Sequence, residues 1–173
     1  RKFVDAIERH DSSERIGIFL FGRNIHSENC ARVVVDESED CLSLSIWTPP
    51  RDKQQRKLPV LVWIFGGGFA VGSSDDWTLR NLTLVSAALS LPTVIVSLNY
   101  RVSGLGFAAL AGLGRGNGNF GLLDQRLALA WLQKNVGAFG GDPEKLAIWG
   151  QSAGGQSVCF HLASPASAGL FSR

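Results

Sequence analysis

Ser152 stands in Gly150-Gln151-Ser152-Ala153-Gly154, a G-x-S-x-G pattern. Ahead of it, Leu146 to Trp149 read as a short buried strand; behind it, an apolar helical stretch runs through Val158, Phe160 and Leu162. Strand, G-x-S-x-G, helix is the setting in which this pattern makes a nucleophile elbow, a sharp turn that pushes the serine hydroxyl clear of the backbone. A serine held in that way can attack a carbonyl carbon and carry the acyl group as a covalent intermediate. Side chains at Gly150 and Gly154 would collide with the neighbouring strand and helix, and Gly155 adds room on the same side. The helix that starts here points its free backbone N–H groups at the serine and favours negative charge beside it. With 20 glycines in 173 residues the three fixed letters also arise by chance, so the flanking elements carry the argument.

A second stretch fits the same chemistry. Pro59 to Phe65 is an unbroken apolar run that ends in Gly66-Gly67-Gly68-Phe69. Glycines at a strand's end let the backbone turn and bring bare N–H groups close to a ligand. Acyl transfer needs such donors to hold the oxyanion of the tetrahedral intermediate. The plainer reading of the triplet is a tight turn.

A base is harder to find. His161 follows Ser152 by nine residues on one helix, which at about 1.5 Å per residue is roughly 13 Å. That is too far to take the serine's proton, and the spacing suits a packing or capping role. His10 and His26 sit in polar segments and read as surface histidines. Gly116-Asn117-Gly118-Asn119-Phe120-Gly121 fits G-x-G-x-x-G, but no strand ends before it and no strand ending in an acidic residue follows at the expected distance. Without that context the dinucleotide fingerprint is weak, and no dinucleotide cofactor is expected on that ground.

The elements that must position these residues read as an alternation of strands and helices. Residues 1–41 are the least legible: Arg1 to Arg15 suggests a frayed helix or a tail, and Ile16 to Phe21 a strand. Leu42 to Thr48 alternates as a half-buried strand, ended by Pro49-Pro50, and Arg51 to Lys57 is a charged turn. The run from Pro59 to Phe65 is a central strand covered on both faces. Asp76 to Ser90 reads as a crossover helix and Thr93 to Leu98 as another buried strand, together a right-handed parallel unit. Asn99 to Gly118 is a long glycine-rich loop. Leu122 to Val136 is the clearest helix, with Leu123, Leu127, Ala130 and Trp131 at three- and four-residue spacing. Gly141-Asp142-Pro143 turns into the elbow strand.

Composition excludes other classes of function. The chain is one domain's worth, with 45% hydrophobic and 18% charged residues and a net charge of +2. No basic run suggests a nucleic-acid partner, and no apolar run reaches the length of a membrane span. The opening Arg-Lys-Phe-Val-Asp has no signal peptide, and the absence of methionine suggests a mature product or a fragment. Cys30 and Cys41 enclose ten residues and could close a small loop, Cys159 reads as a small buried hydrophobe, and Asn81-Leu82-Thr83 is a glycosylation sequon. A disulfide and a glycan lean together toward a secreted, extracellular protein.

Several blocks in order resemble the type B carboxylesterases, the group that includes cholinesterases and many fungal lipases. They are Ser38-Glu39-Asp40-Cys41-Leu42 with Ile46-Trp47-Thr48-Pro49, Val62 to Phe69, and Ser97-Leu98-Asn99-Tyr100-Arg101. Gly118 to Arg126, Phe139-Gly140-Gly141-Asp142-Pro143 and the elbow follow, so the resemblance covers about residues 38–165. It implies an α/β-hydrolase core: a mostly parallel sheet with flanking helices, its amino-terminal part in residues 38–173 after a poorly recognisable segment 1–37. It also implies a serine esterase or lipase acting on a small-molecule or lipid carboxylic ester without a cofactor. Ser152 matches the nucleophile; Gly67, Gly68 and Ala153 match the oxyanion donors; Arg101 and Asp124 match a buried salt bridge. Cys41 matches the second cysteine of an early disulfide, with Cys30 as the partner in a loop shorter than usual. Gln151 stands where the family often has glutamate, a change that bears on preference for cationic substrates. The family's usual opening has no counterpart in residues 1–30, and its triad acid and histidine come far downstream of Arg173. The alternatives are a catalytically inactive, cholinesterase-like interaction domain and a truncated chain, which would expose apolar surface and aggregate.

Overall fold

The computed structural model describes residues 8–10, 17–21, 40–50, 56–109 and 118–173, the first two stretches as backbone only. The strands are β1 (Glu8–His10), β2 (Gly17–Phe21), β3 (Leu44–Thr48), β4 (Leu58–Ile64), β5 (Val94–Leu98) and β6 (Gly141–Gly150). The helices are α1 (Arg80–Ala88), α2 (Ser103–Phe107), α3 (Phe120–Asn135) and α4 (Ala153–Ala163). One sheet runs in the order β1-β2-β3-β5-β4-β6. β5, β4 and β6 are parallel to one another, and β3, β2 and β1 extend the sheet as an antiparallel meander.

The parallel strands are continuous apolar runs because both of their faces are covered. Val60, Val62 and Ile64 of β4 share one buried core with Ala128, Leu129 and Leu132 of α3. Leu61 of β4 and Ile95 of β5 alternate to the opposite face and meet Leu82 of α1. The β4–α1–β5 unit predicted from sequence is present, although its helix is shorter than Asp76 to Ser90. A single 3-10 turn at Ser74–Asp76 precedes α1, and a capping box between Ser73 and Asp76 satisfies its first backbone donors.

Four local readings need correction. Glu8–His10 is a strand, not part of a helix or tail. The glycine-rich stretch from Asn99 to Gly118 contains the short helix α2. The elbow strand begins at Gly141 rather than Leu146. Gly141 pairs with Leu58 and Leu146 with Val60, so residues 142–145 bulge out of the ladder opposite Pro59. The Lys145 ammonium lies 3.1 Å from the Asp142 carboxylate within that bulge. Finally, Cys159 is exposed rather than buried.

Candidate active site

β4 and β6 are neighbours, so the glycine segment after β4 and the serine turn after β6 emerge side by side at the same end of the sheet. Ser152 sits between β6 and α4 with φ 53° and ψ −121°, a conformation that side chains rarely adopt. Such strain persists only where the surroundings over-determine it. Here they do. A Cβ on Gly150 would lie 2.5 Å from the Gly154 carbonyl carbon and 2.7 Å from the Ile64 oxygen. A Cβ on Gly154 would overlap the Ile64 carbonyl and lie 2.8 Å from the Phe65 oxygen. α4 therefore passes directly against the end of β4, and the turn that enters it has no room to relax. The collisions expected for Gly150 and Gly154 are those found, while a Cβ on Gly155 would come no nearer than 3.3 Å, to the Gly150 oxygen.

The glycine segment closes on this turn. A Cβ on Gly66 would meet the Gln151 backbone oxygen at 2.5 Å, its Oε1 at 2.6 Å and the Ser152 Cβ at 3.1 Å. Gly67 (φ 119°) and Gly68 (φ 65°) then reverse the chain, and the Gly67 carbonyl accepts the N–H groups of Ala70 and Val71 at 3.0 and 3.1 Å. The triplet is thus a tight turn, and the turn lies against Ser152. Ser152, Gln151 and Gly68 are exposed, whereas Ala153 is buried at the start of α4. The N–H of Gly154 is taken by the Gln151 carbonyl and that of Gln156 by the Ser152 carbonyl, each at 2.9 Å. Gly67, Gly68 and Ala153 donate no such bond among the described residues.

Buried partners fix the walls. Tyr100 donates its hydroxyl to the Phe65 carbonyl at 2.8 Å and stacks on the Phe65 ring, centroids 4.3 Å apart. Burial pushes the Tyr100 phenol above its ordinary range. Asn99 donates to the Cys41 carbonyl at 2.9 Å and accepts from the Ser74 N–H at 3.2 Å, tying the end of β5 to the segment before β3 and to the 3-10 turn before α1. Arg101 and Asp124 form a two-pronged pair, Nε–Oδ2 and Nη2–Oδ1 both 2.7 Å, and the Arg101 N–H adds a third bond to Oδ2 at 3.1 Å. This pair ties the segment after β5 to α3. Gly121, the last glycine of the G-x-G-x-x-G match, is where α3 passes the Arg101 carbonyl and the Phe107 ring.

His161 is buried, and both ring nitrogens are engaged: Nδ1 with Ser167 Oγ at 3.0 Å and Nε2 with Gln125 Oε1 at 2.9 Å. Burial, and the nearby Arg126 charge, hold its pKa below the usual value. Sequence reasoning gave His161 a packing role but missed Gln125 and Ser157, its neighbours in the network. His10 lies in β1, and His26 and Cys30 fall outside the described residues. Asn81 is exposed on α1, with Thr83 of the same sequon fully buried. Among the described residues no group of His, Cys, Asp or Glu is arranged to hold a metal, and no helix is long and apolar enough to cross a membrane.

An α/β sheet carrying a strained serine between a parallel strand and a helix, faced by a glycine turn, is the architecture of the serine hydrolases. This chain belongs to the carboxylesterase family, whose family model matches residues 11–173. It is similar to an acetylcholinesterase of Gallus gallus, with 53% identity over 138 residues, 79% of this chain and 17% of that protein. Acetylcholinesterases of Danio rerio and Electrophorus electricus are 50% and 51% identical over the same share of this chain, and 21% of each is covered. The matched part thus spans about a fifth of the length of these relatives.

Proposed function

We propose that this chain carries the nucleophile and oxyanion hole of a serine carboxylic ester hydrolase. The observation that carries the reading is the φ 53° conformation of Ser152, held between two glycines that admit no side chain and faced by the Gly66–Gly68 turn. In this mechanism the Ser152 hydroxyl adds to the ester carbonyl carbon as a histidine base takes its proton. The carbonyl oxygen becomes the oxyanion and is held by the N–H groups of Gly67, Gly68 and Ala153. Collapse of the intermediate breaks the bond to the alcohol, which leaves with the proton from the histidine. Water then attacks the acyl-serine by the same route and restores the hydroxyl.

The engaged nitrogens of His161 make it unsuitable as that base. By resemblance to the family, the histidine and its acid partner are assigned to a segment downstream of the serine turn. The substrate is a small-molecule or lipid ester. Gln151, whose Oε1 lies over Gly66 beside Ser152, offers a neutral amide to the substrate rather than a carboxylate. Residues 38–173 form the amino-terminal part of the catalytic domain in this reading. The protein works outside the cell, with a Cys30–Cys41 bridge and a glycan on Asn81. Cys159, an exposed free thiol, takes no part in that bridge.

A fluorophosphonate probe tests the reading on the natural protein that carries this sequence. Covalent labelling that Ser152→Ala abolishes is expected. No labelling under conditions that modify a known esterase would sink the hydrolase reading in favour of a non-catalytic interaction domain.

A further inference from the structure

A chain of buried polar side chains links α3 to α4 and has no part in the acyl-transfer steps. Its members are Gln125 on α3, Ser157 and His161 on α4, and Ser167 in the 3-10 turn that follows. The Gln125 Oε1 carries no hydrogen, so His161 Nε2 must be the donor in their 2.9 Å contact. In the neutral ring His161 Nδ1 is then an acceptor, and the Ser167 hydroxyl donates to it at 3.0 Å. The Gln125 amide donates to Ser157 Oγ at 3.1 Å. That bond uses a lone pair of Ser157, whose own proton goes to the Ala153 carbonyl at 3.0 Å. Every link therefore has one donor and one acceptor, and the chain runs in a single direction from Ser167 to Ala153 with a neutral imidazole in the middle.

The chain ends on the residue that follows Ser152. Apolar packing constrains the outer side of α4 little, because Phe160 and Leu162 are 50% and 65% exposed. Apolar contacts also tolerate small rotations and slides of a helix, whereas directed hydrogen bonds at both ends of two side chains do not. We propose that Gln125, Ser157 and His161 are positioning residues: they fix the rotation and height of α4, and so hold the Ser152–Ala153 peptide against the glycine turn. The contribution to catalysis rests on the ester-hydrolase reading; the contribution to holding the peptide does not. None of the three touches the reacting atoms. They act through the Ala153 carbonyl, as a misplacement of about 1 Å at a reacting centre costs on the order of 100-fold in rate.

The natural protein carrying this sequence is compared with His161→Phe, which keeps a ring but removes both nitrogens, and His161→Gln, which keeps a donor and an acceptor. Ser157→Ala removes a single oxygen and serves if His161→Phe does not fold. Two quantities are read: backbone amide exchange across residues 150–158, and kcat and KM for 4-nitrophenyl acetate. His161→Phe, or Ser157→Ala, should speed exchange in the first turn of α4 and lower kcat by about 10- to 100-fold with KM little changed, and His161→Gln should restore most of both. Unchanged exchange in a folded His161→Phe or Ser157→Ala protein overturns the proposal. So does faster exchange with wild-type kcat, since the peptide would then not need to be held. If the wild type shows no turnover that depends on Ser152, the hydrolase reading fails. The exchange arm still decides whether the network holds the peptide.

Discussion

Replacing Gly154 by alanine places one methyl group where the structure allows none. The new Cβ would overlap the Ile64 carbonyl oxygen and sit 2.7 Å from its carbon and 2.8 Å from the Phe65 oxygen. Ordinary contact begins at 3.4 Å. The atoms met are backbone at the end of β4, which is hydrogen-bonded to β5 on one side and β6 on the other, so the strand cannot give. α4 must instead retreat by roughly 1 Å, and overpacking of this kind costs about 1–3 kcal/mol. Helix propensity offsets part of that, about 0.5–1 kcal/mol in favour of alanine. A net loss of about 1 kcal/mol is expected. In urea, with a slope of about 1–3 kcal/mol per molar, the unfolding midpoint should fall by roughly 0.5 M. Gly155→Ala is the internal control. Its nearest neighbour would be the Gly150 oxygen at 3.3 Å, so its clash and its propensity gain nearly cancel and the change should stay within about 0.5 kcal/mol of zero. A midpoint for Gly154→Ala equal to wild type, or a larger loss for Gly155→Ala, would mean that α4 does not pass this close to β4. The account of the strained Ser152 turn would fail with it.

Four further outcomes follow from buried partners. Asp124→Ala removes the two-pronged acceptor of Arg101, whose side chain keeps 31% of its surface exposed, and should destabilise by about 2 kcal/mol in urea unfolding; an unchanged midpoint would contradict the pairing. Thr83 Oγ1 is buried without a hydrogen-bond partner among the described residues, so Thr83→Val should stabilise by about 1 kcal/mol while removing the Asn81 sequon, checked by melting of unglycosylated protein. Tyr100 is the only tyrosine in the 173 residues, and burial raises its pKa above the ordinary 10. The folded chain should show no tyrosinate absorbance as pH passes that value, and its stability should fall there as the unfolded state ionises first. His161 has its pKa depressed from 6.5 by burial and by Arg126. The unfolded state then binds more protons below that pH, so stability should fall as pH drops through 6.5 toward the folded value. His161→Gln should flatten that part of the profile.

The parts of the fold legible in sequence were those where one physical demand fixed the residue types. β4 and β5 had to be apolar on both faces and read as unbroken runs. Gly150 and Gly154 had to be bare because α4 crosses β4 there, and the G-x-S-x-G letters report that crossing directly. β1 was not legible, because three residues in a charged segment carry no alternation long enough to mark a strand. Gly141-Asp142-Pro143 reads as a turn because Asp-Pro is turn chemistry, whereas the structure has a bulge over residues 142–145. The ladder simply resumes on both sides of it.

α3 shows why the polar half of the site was harder to see. Its period was right, but the buried stripe is Gly121, Asp124, Gln125, Ala128, Leu129 and Leu132. Leu123 and Leu127, which an apolar count places in the core, are 40% and 44% exposed. A count of hydrophobic residues chooses the wrong face here because the true face holds an ionised carboxylate and an amide. Each is affordable in the interior only with a full set of partners, and those partners lie far away in sequence: Arg101 for Asp124, Ser157 and His161 for Gln125. The signal that was available is the spacing itself. Asp124 and Gln125 continue the three- and four-residue repeat of Ala128, Leu129 and Leu132 toward the helix start. A polar pair that keeps step with a buried stripe implies buried partners elsewhere. In this chain those partners hold the two segments that flank the serine turn.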